Sequence, residues 1–190
     1  MEMDSRSSLL RAALKLFASH GYDVVGVQEI VDATGVTKPT LYHFFGSKQG
    51  LLEALFSEYA AELDRRVTEA ARYEGDLPLT IDRVAAAYID FATKEPAAYR
   101  LELGLYFAPR EGLAHKVAVN HYARRQTLLE GVFVKAVRQH GNLRGRQQRY
   151  AVSLVGVLNS YIALQLDGEI TITEGLRRDI VQQFSHGIYS

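Results

Sequence analysis

The feature that most limits the fold is the spacing of apolar residues, which recur every three to four positions through almost the whole chain. Near the N-terminus Leu10, Leu14 and Phe17 follow this spacing, and a glycine, Gly21, comes directly after the run. Most other glycines and prolines also lie at the ends of such runs. A repeat near 3.6 residues is typical of amphipathic helices, whereas strands alternate every second residue. The sequence therefore predicts an all-α protein.

The runs and their breakers predict one helix after another along the chain. The predicted helices cover residues 5–20, 27–33, 38–44, 48–75, 78–95, 96–109, 112–140, 151–164 and 173–188. The stripe of the last helix includes Ile188. Ser47 is the expected N-cap of the long helix 48–75, which runs on without a breaker. We expect this helix to connect two domains, residues 1–47 and residues 48–190.

Composition excludes several classes of protein. The 190 residues carry 22 basic and 22 acidic side chains, so net charge alone does not indicate a nucleic-acid binder. The absence of cysteine excludes a disulfide framework and favours the cytoplasm. No apolar run is long enough for a membrane span, and the six histidines lack metal-ligand spacing. Since there is also no glycine-rich phosphate loop or nucleophile motif, we expect neither a metal nor a cofactor nor an enzyme.

The two short helices, 27–33 and 38–44, are separated by four residues that form a tight turn. Gly35 in this turn lets the backbone reverse, and Thr37 can cap the second helix. A turn of this length containing glycine is typical of a helix-turn-helix. The second helix then displays a polar face, consisting of Lys38, Thr40, Tyr42 and His43, that suits a DNA groove.

At this segment the chain resembles the tetracycline-repressor (TetR) family of regulators. The family pattern has Gly-Val-Ser/Thr, a few variable residues, Leu-Tyr-x-x-Phe and then Ser-Lys. Residues 35–48 read GVTKPTLYHFFGSK, preceded by Leu16-Phe17 and Gly21-Tyr22 at the family's spacing. The resemblance covers roughly residues 9–55. Val25-Gly26 stands where the family commonly has Ser or Thr before the second helix, so that hydroxyl contact with a phosphate is missing.

The resemblance implies nine helices, of which three bind DNA and six form a ligand-binding and dimerisation domain. It also implies a homodimer that binds a palindromic operator, most often as a repressor released by a small-molecule effector. The predicted DNA-binding residues are Thr37, Lys38, Pro39, Thr40, Tyr42, His43 and Lys48. Of these, Tyr42 and Lys48 suit phosphates, and Lys38 suits a guanine or a phosphate. His43 can read a base edge or make no contact.

The second half of the chain is rich in aromatic residues with polar tips, which either fill a core or line a pocket. The predicted ligand-binding residues are Tyr88, Phe91, Tyr99, Tyr106, His121, Tyr122 and Asn159. The apolar helix 151–164 and the last helix offer more apolar surface than one subunit readily covers. These two helices either belong to the core of one subunit or, as the resemblance implies, form a four-helix dimer interface. The predicted dimer residues are Val155, Leu158, Ile162, Ile180 and Phe184, and the sequence leaves open which face of the apolar helix meets the partner.

Two other interpretations stay open at the level of sequence. A helical enzyme would need a catalytic motif that the chain lacks, and a helix-turn-helix used only for protein contact would fail to bind DNA in a salt-sensitive way.

Overall fold

A computed structural model describes residues 2–187, with side chains from Asp4 onward. The elements, in chain order, are α1 (Glu2–His20), α2 (Val27–Asp32), α3 (Lys38–Phe45), α4 (Lys48–Leu55), a π-helical turn (Phe56–Ala60), α5 (Ala61–Ala70), α6 (Leu77–Lys94), α7 (Pro96–Tyr106), α8 (Leu113–Ala136), a 3₁₀ turn (Gly141–Leu143), α9 (Gln147–Leu166) and α10 (Glu174–His186). Within these residues there is no strand, which confirms the all-α prediction. With residues 48–70 taken as one helical stretch, the described part of the chain has nine α-helices, as expected.

The connecting helix begins where the sequence predicted it. The Ser47 hydroxyl accepts a hydrogen bond from the backbone amide of Gly50 at 3.0 Å, so Ser47 is the N-cap. The helix is not regular, because Phe56–Ala60 form a π-helical turn between α4 and α5. It ends at Ala70 rather than near Gly75, and Gly75 lies outside it with φ of +97°.

The later helices have boundaries close to those expected. Helix α8 ends at Ala136, although the amides of Val137 and His140 still bond to carbonyls of its last turn, which explains why the helical pattern extended to His140. Thr173 caps α10 by accepting a hydrogen bond from Leu176 N at 3.2 Å. Ile188, which the sequence placed on the stripe of this helix, lies outside the described residues.

The chain divides into two compact units, residues 1–62 with 97–120 and residues 63–96 with 121–190. In the first unit α1 packs against α2, α3 and α4, and Leu9, Phe17 and Leu41 are buried in the core. In the second unit α6 packs against α9 and α10 around Leu158 and Ile180. This division falls inside the connecting helix, whereas a functional boundary after residue 47 stays a prediction.

None of the helices between residues 2 and 187 has the length and apolar character that a bilayer span requires.

Candidate functional site

The turn between α2 and α3 is held by the side chain of Thr34. Its hydroxyl donates to the carbonyl oxygens of Ile30 at 3.2 Å and Val31 at 3.1 Å, and it accepts from Val36 N at 3.3 Å. Gly35 then adopts a φ of +68°, a left-handed conformation that favours glycine. This turn sets the angle at which α3 leaves α2.

Helix α3 presents the polar face that the sequence predicted. Lys38, Pro39 and His43 are exposed and Tyr42 is 47% exposed, whereas Leu41 on the opposite face is fully buried. Phe44 and Phe45, at the end of α3, are half-buried. Side chains on a short exposed helix after a tight turn are positioned to reach base edges and phosphates.

The first turn of α3 is stabilised by two threonine hydroxyls. Thr37 accepts from the backbone amide of Thr40 at 3.5 Å, and the two hydroxyl oxygens lie 2.9 Å apart in a hydrogen bond. Thr37 is therefore the N-cap, as predicted. Thr40 both supports this cap and lies on the polar face of α3 that is predicted to contact DNA. A substitution of Thr40 is therefore expected to affect helix capping and DNA binding together.

Helix α2 begins without the hydroxyl that the family pattern usually places there. Gly26 is its N-cap, with extended backbone, and the amide of Gly26 donates to Glu29 Oε1 at 3.3 Å. Because glycine has no side chain, only this half of a capping box exists. The N-terminus of α2 is thus stabilised without the hydroxyl.

Lys48, which the sequence predicts to contact a phosphate, makes two contacts within the first unit. Its ammonium lies 4.3 Å from the centroid of the Tyr22 ring and donates to the carbonyl oxygen of Asp23 at 3.4 Å. Burial lowers the pKa of Lys48, an effect that the nearby Asp23 and Glu29 carboxylates oppose. The side chain therefore ties the start of α4 to the loop after α1, a contact that sequence reasoning missed.

This contact predicts that Lys48→Ala lowers the stability of the first unit. The variant loses a cation–π contact and a hydrogen bond, and we expect a loss of about 1 to 2 kcal/mol, measurable by thermal unfolding. Lys15→Ala, at an exposed position on α1, is the matched control and leaves the unfolding midpoint nearly unchanged. Equal midpoints for the two variants would show that the contact with Tyr22 contributes nothing.

A polar cluster lies in the second unit among α5, α6, α8 and α9. Its members Tyr88, Tyr122 and Arg125 are buried, whereas Asp64 and His121 are half-buried. Asp64 Oδ2 is 2.6 Å from His121 Nδ1, and Asp64 Oδ1 is 3.4 Å from Arg125 Nη1. His121 and Arg125 are four residues apart and lie on the same side of α8. The Arg125 guanidinium stacks 5.2 Å from the centre of the Tyr122 ring.

Asn159 also belongs to the cluster, to which it is joined by a hydrogen bond. Asn159 Nδ2 donates to the Tyr122 hydroxyl at 3.4 Å, and Arg125 is only 3% exposed. Burial raises the pKa of Tyr88, and the nearby Asp64 carboxylate adds to this while Arg125 opposes it. Several polar groups converging in an apolar interior are typical of a ligand site.

Four of the predicted ligand residues, Tyr88, His121, Tyr122 and Asn159, belong to this cluster. Phe91 is buried farther along α6, in the same unit, with the Arg66 guanidinium 5.9 Å from its ring centre. The other two predicted ligand residues lie in the first unit, where Tyr99 is buried and Tyr106 is 39% exposed.

Sequence reasoning missed the two charged members of the cluster, Asp64 and Arg125. A signal for Arg125 was present, because it interrupts the buried stripe of α8 between Ala118 and Leu129 at helical spacing. A charge at an apolar position of a helix must find a partner in the interior, and that partner is Asp64. No comparable signal marks Asp64, whose neighbours in sequence include several other charges.

The predicted dimer residues lie largely inside the subunit. Val155, Leu158, Ile162 and Ile180 are at most 4% exposed within one chain, and Phe184 is half-buried. The first four side chains are therefore buried within the subunit itself, where α9 packs against α6 and α10, whereas Phe184 keeps part of its surface exposed. The exposed side of α9 instead carries Val152, Gly156, Ser160 and Leu164, one above the other at intervals of four residues.

The first unit has the features that define a helix-turn-helix DNA-binding protein: a short helix, a glycine turn and a second helix with an exposed polar face. Comparison with known proteins agrees. The profile of "Bacterial regulatory proteins, tetR family" matches residues 9–55. The transcriptional activator FasR of Mycolicibacterium smegmatis is 30% identical over 154 residues, which cover 81% of this chain and 68% of FasR.

A second relative is also named as a transcriptional regulator, and a solved structure shares the fold. The transcriptional repressor ComR of Escherichia coli is 37% identical over 86 residues, which cover 45% of this chain and 38% of ComR. The regulator FadR of Bacillus subtilis, solved in complex with stearoyl-CoA, superposes with a TM-score of 0.78 at 16% identity, covering 96% of this chain and 99% of FadR. The chain belongs to the tetR family of bacterial regulatory proteins, and it is a DNA-binding transcriptional regulator.

Proposed function

We propose that this regulator is a homodimeric repressor that binds a palindromic operator through two copies of α3 and is released by a small-molecule effector. The observation that supports the proposal is that the chain has both an exposed polar face on α3 and a separate, partly buried polar cluster around Asp64 and Arg125. The first suits a DNA groove and the second suits a ligand. We propose that the protein acts in the cytoplasm, where its DNA lies, and that it has no catalytic activity.

For the DNA-binding residues we propose two kinds of role. Tyr42 and Lys48 bind phosphates and fix the position of α3 on the DNA, whereas Lys38 and Thr40 contact bases in each half-site. His43 is exposed near the end of α3. DNA binding by a His43 variant would assign this side chain to the phosphates or to the bases. In this arrangement Lys48 combines a phosphate contact with its packing on Tyr22.

We therefore expect Lys38→Ala and Tyr42→Phe to weaken DNA binding in different ways. Lys38→Ala changes the preferred base at one position of each half-site, costing about 1 to 3 kcal/mol for the original operator. Tyr42→Phe removes a hydroxyl that contacts a phosphate and weakens binding to all sequences alike. Selection of bound sequences from random DNA measures both effects. An unchanged base preference in Lys38→Ala would assign that lysine to the phosphates instead.

The effector is proposed to bind at the polar cluster. Tyr88, Tyr122 and Asn159 supply hydrogen-bonding groups, and the surrounding apolar helices suit a ligand with an apolar body. FadR of Bacillus subtilis was solved with stearoyl-CoA, so long-chain acyl-CoA is the first compound to test. A ligand that favours one conformation of the regulator changes operator affinity by about 5- to 150-fold, which corresponds to a coupling of about 1 to 3 kcal/mol.

The decisive test measures ligand affinity with and without saturating operator. Because linkage is reciprocal, operator DNA must weaken ligand binding by the same factor by which the ligand weakens operator binding. We expect Tyr122→Phe to bind the ligand roughly fivefold more weakly, with operator affinity in its absence unchanged. Tyr161→Phe, whose hydroxyl contacts Gln183 at 3.4 Å, is the matched control. Equal ligand affinity with and without operator would contradict the proposed effector role.

Activation of transcription is the second candidate. FasR, which matches most of this chain, is named an activator, whereas ComR is named a repressor. Transcription in vitro from a promoter with the selected operator distinguishes the two, since a repressor lowers transcript yield and an activator raises it.

A further inference from the structure

A cavity of about 450 Å³ lies in the second unit beside the first turn of α6 and the last turns of α10. Ligand sites in proteins commonly measure about 300 to 1,000 Å³. None of the residues predicted from the sequence to bind the effector lines this cavity, and neither do Asp64 and Arg125. It is therefore distinct from the polar cluster.

The inner wall of the cavity is aromatic. The ring centres of Phe133 and Tyr150 are 5.7 Å apart, and each lies 6.4 Å from that of Phe184. The Tyr150–Phe184 pair meets edge to face, and Leu77 and Leu143 extend the apolar surface. Such a wall favours the flat or flexible apolar body of a small molecule.

The polar part of the lining offers several hydrogen-bond donors to an anion. Arg178 and the imidazoles of His140 and His186 border the cavity. The one carboxylate in the lining, Asp82, is already bound by Arg177, which donates to it. Arg178 also lies 3.4 Å from Glu174, but both of these side chains are well exposed and such pairs are weak. An anionic group can therefore be attracted here without displacing a buried ion pair.

We propose that this cavity is a second small-molecule site, which binds a compound with an apolar or aromatic body and one anionic group. It goes beyond the proposed effector site, because it shares no residue with the Asp64–Arg125 cluster. The aromatic trio contacts the body of the ligand, and Arg178 with His140 faces its anionic end.

The test uses the intact protein and the fluorescent probe anilinonaphthalene sulfonate, an aromatic anion. We expect saturable binding that Ser185→Trp abolishes, because an indole at this exposed lining position fills the cavity. Asp179→Trp, exposed on the same helix but outside the lining, is the control and binds normally. The double variant Arg178→Gln with His140→Gln is expected to bind about fivefold more weakly.

A competition experiment tests the charge. Dodecanoate is expected to displace the probe, whereas dodecyltrimethylammonium, with the same chain and opposite charge, is not. Equal displacement by the two, equal probe binding by Ser185→Trp and Asp179→Trp, or no saturable binding would each overturn the proposal. Loss of probe binding in Tyr122→Phe would also overturn it, by assigning the probe to the polar cluster. Since operator release is not the readout, failure here leaves the proposed effector response to be judged separately.

Discussion

Gly50→Ala is expected to disrupt the packing of α3 against α4 and to abolish operator binding. Gly50 lies in the first turn of α4, and a Cβ atom at this position would overlap the backbone carbonyl oxygen of Phe45. The overlapping atom belongs to the backbone at the end of α3, so it cannot move aside as a flexible side chain could. To relieve the overlap, α4 and α3 must separate, and the Ser47 cap on the Gly50 amide is lost with that shift. We expect a loss of stability of about 3 kcal/mol or more, with loss of operator binding.

The control for this prediction is Gly104→Ala in α7. A Cβ atom at Gly104 meets nothing within 4 Å, and alanine is the better helix former by up to about 1 kcal/mol. The control is therefore expected to be as stable as the parent protein or slightly more so. Denaturant unfolding and fluorescence anisotropy with labelled operator measure the two variants. A Gly50→Ala protein with the stability and operator affinity of the Gly104→Ala protein would show that the backbones of α3 and α4 are not in the close contact described.

Gly156→Trp is expected to convert the proposed dimer into monomers. Gly156 lies on the exposed side of α9, and a Cβ atom there meets nothing within 4 Å in the same chain. A large side chain is thus accepted by the isolated subunit. We propose that this face meets a second copy of itself in the dimer, and a large side chain prevents that close approach. Because each subunit is proposed to read one half-site, separated subunits are expected to lose the gain from binding two half-sites together. We expect specific operator affinity to fall by about a thousandfold or more, toward the nonspecific level.

Sedimentation and operator binding are measured together for Gly156→Trp. Gly104→Trp, at another exposed helical glycine, is the matched control and is expected to remain dimeric and bind operator. Helical content measured by circular dichroism shows that the fold of each variant is intact. A Gly156→Trp protein that sediments as a dimer would place the interface elsewhere than on this side of α9. A monomer that keeps full operator affinity would contradict the need for a dimer.

Local sequence information was sufficient to predict the helices and the exposed polar face of α3. The caps Ser47 and Thr37, the turn glycine Gly35 and the alternation of buried Leu41 with exposed neighbours all act within a few residues along the chain. Such interactions leave their pattern in the sequence, because a helix of 3.6 residues per turn brings each apolar position to one side. The all-α fold and the exposed reading face follow from this pattern.

Tertiary packing decided what those local patterns could not. A hydrophobic stripe predicts that a helix is buried, but not which other helix buries it. Val155 and Ile162 were predicted to face a partner, yet they are buried within one subunit, where α9 packs against α6 and α10. Asp64 and Arg125 are 61 positions apart and meet only because the fold brings this part of α5 near α8. Lys48 likewise turned toward Tyr22 because the loop after α1 comes near the start of α4. These contacts join residues distant in sequence, and their energies depend on burial, which only the packed fold determines.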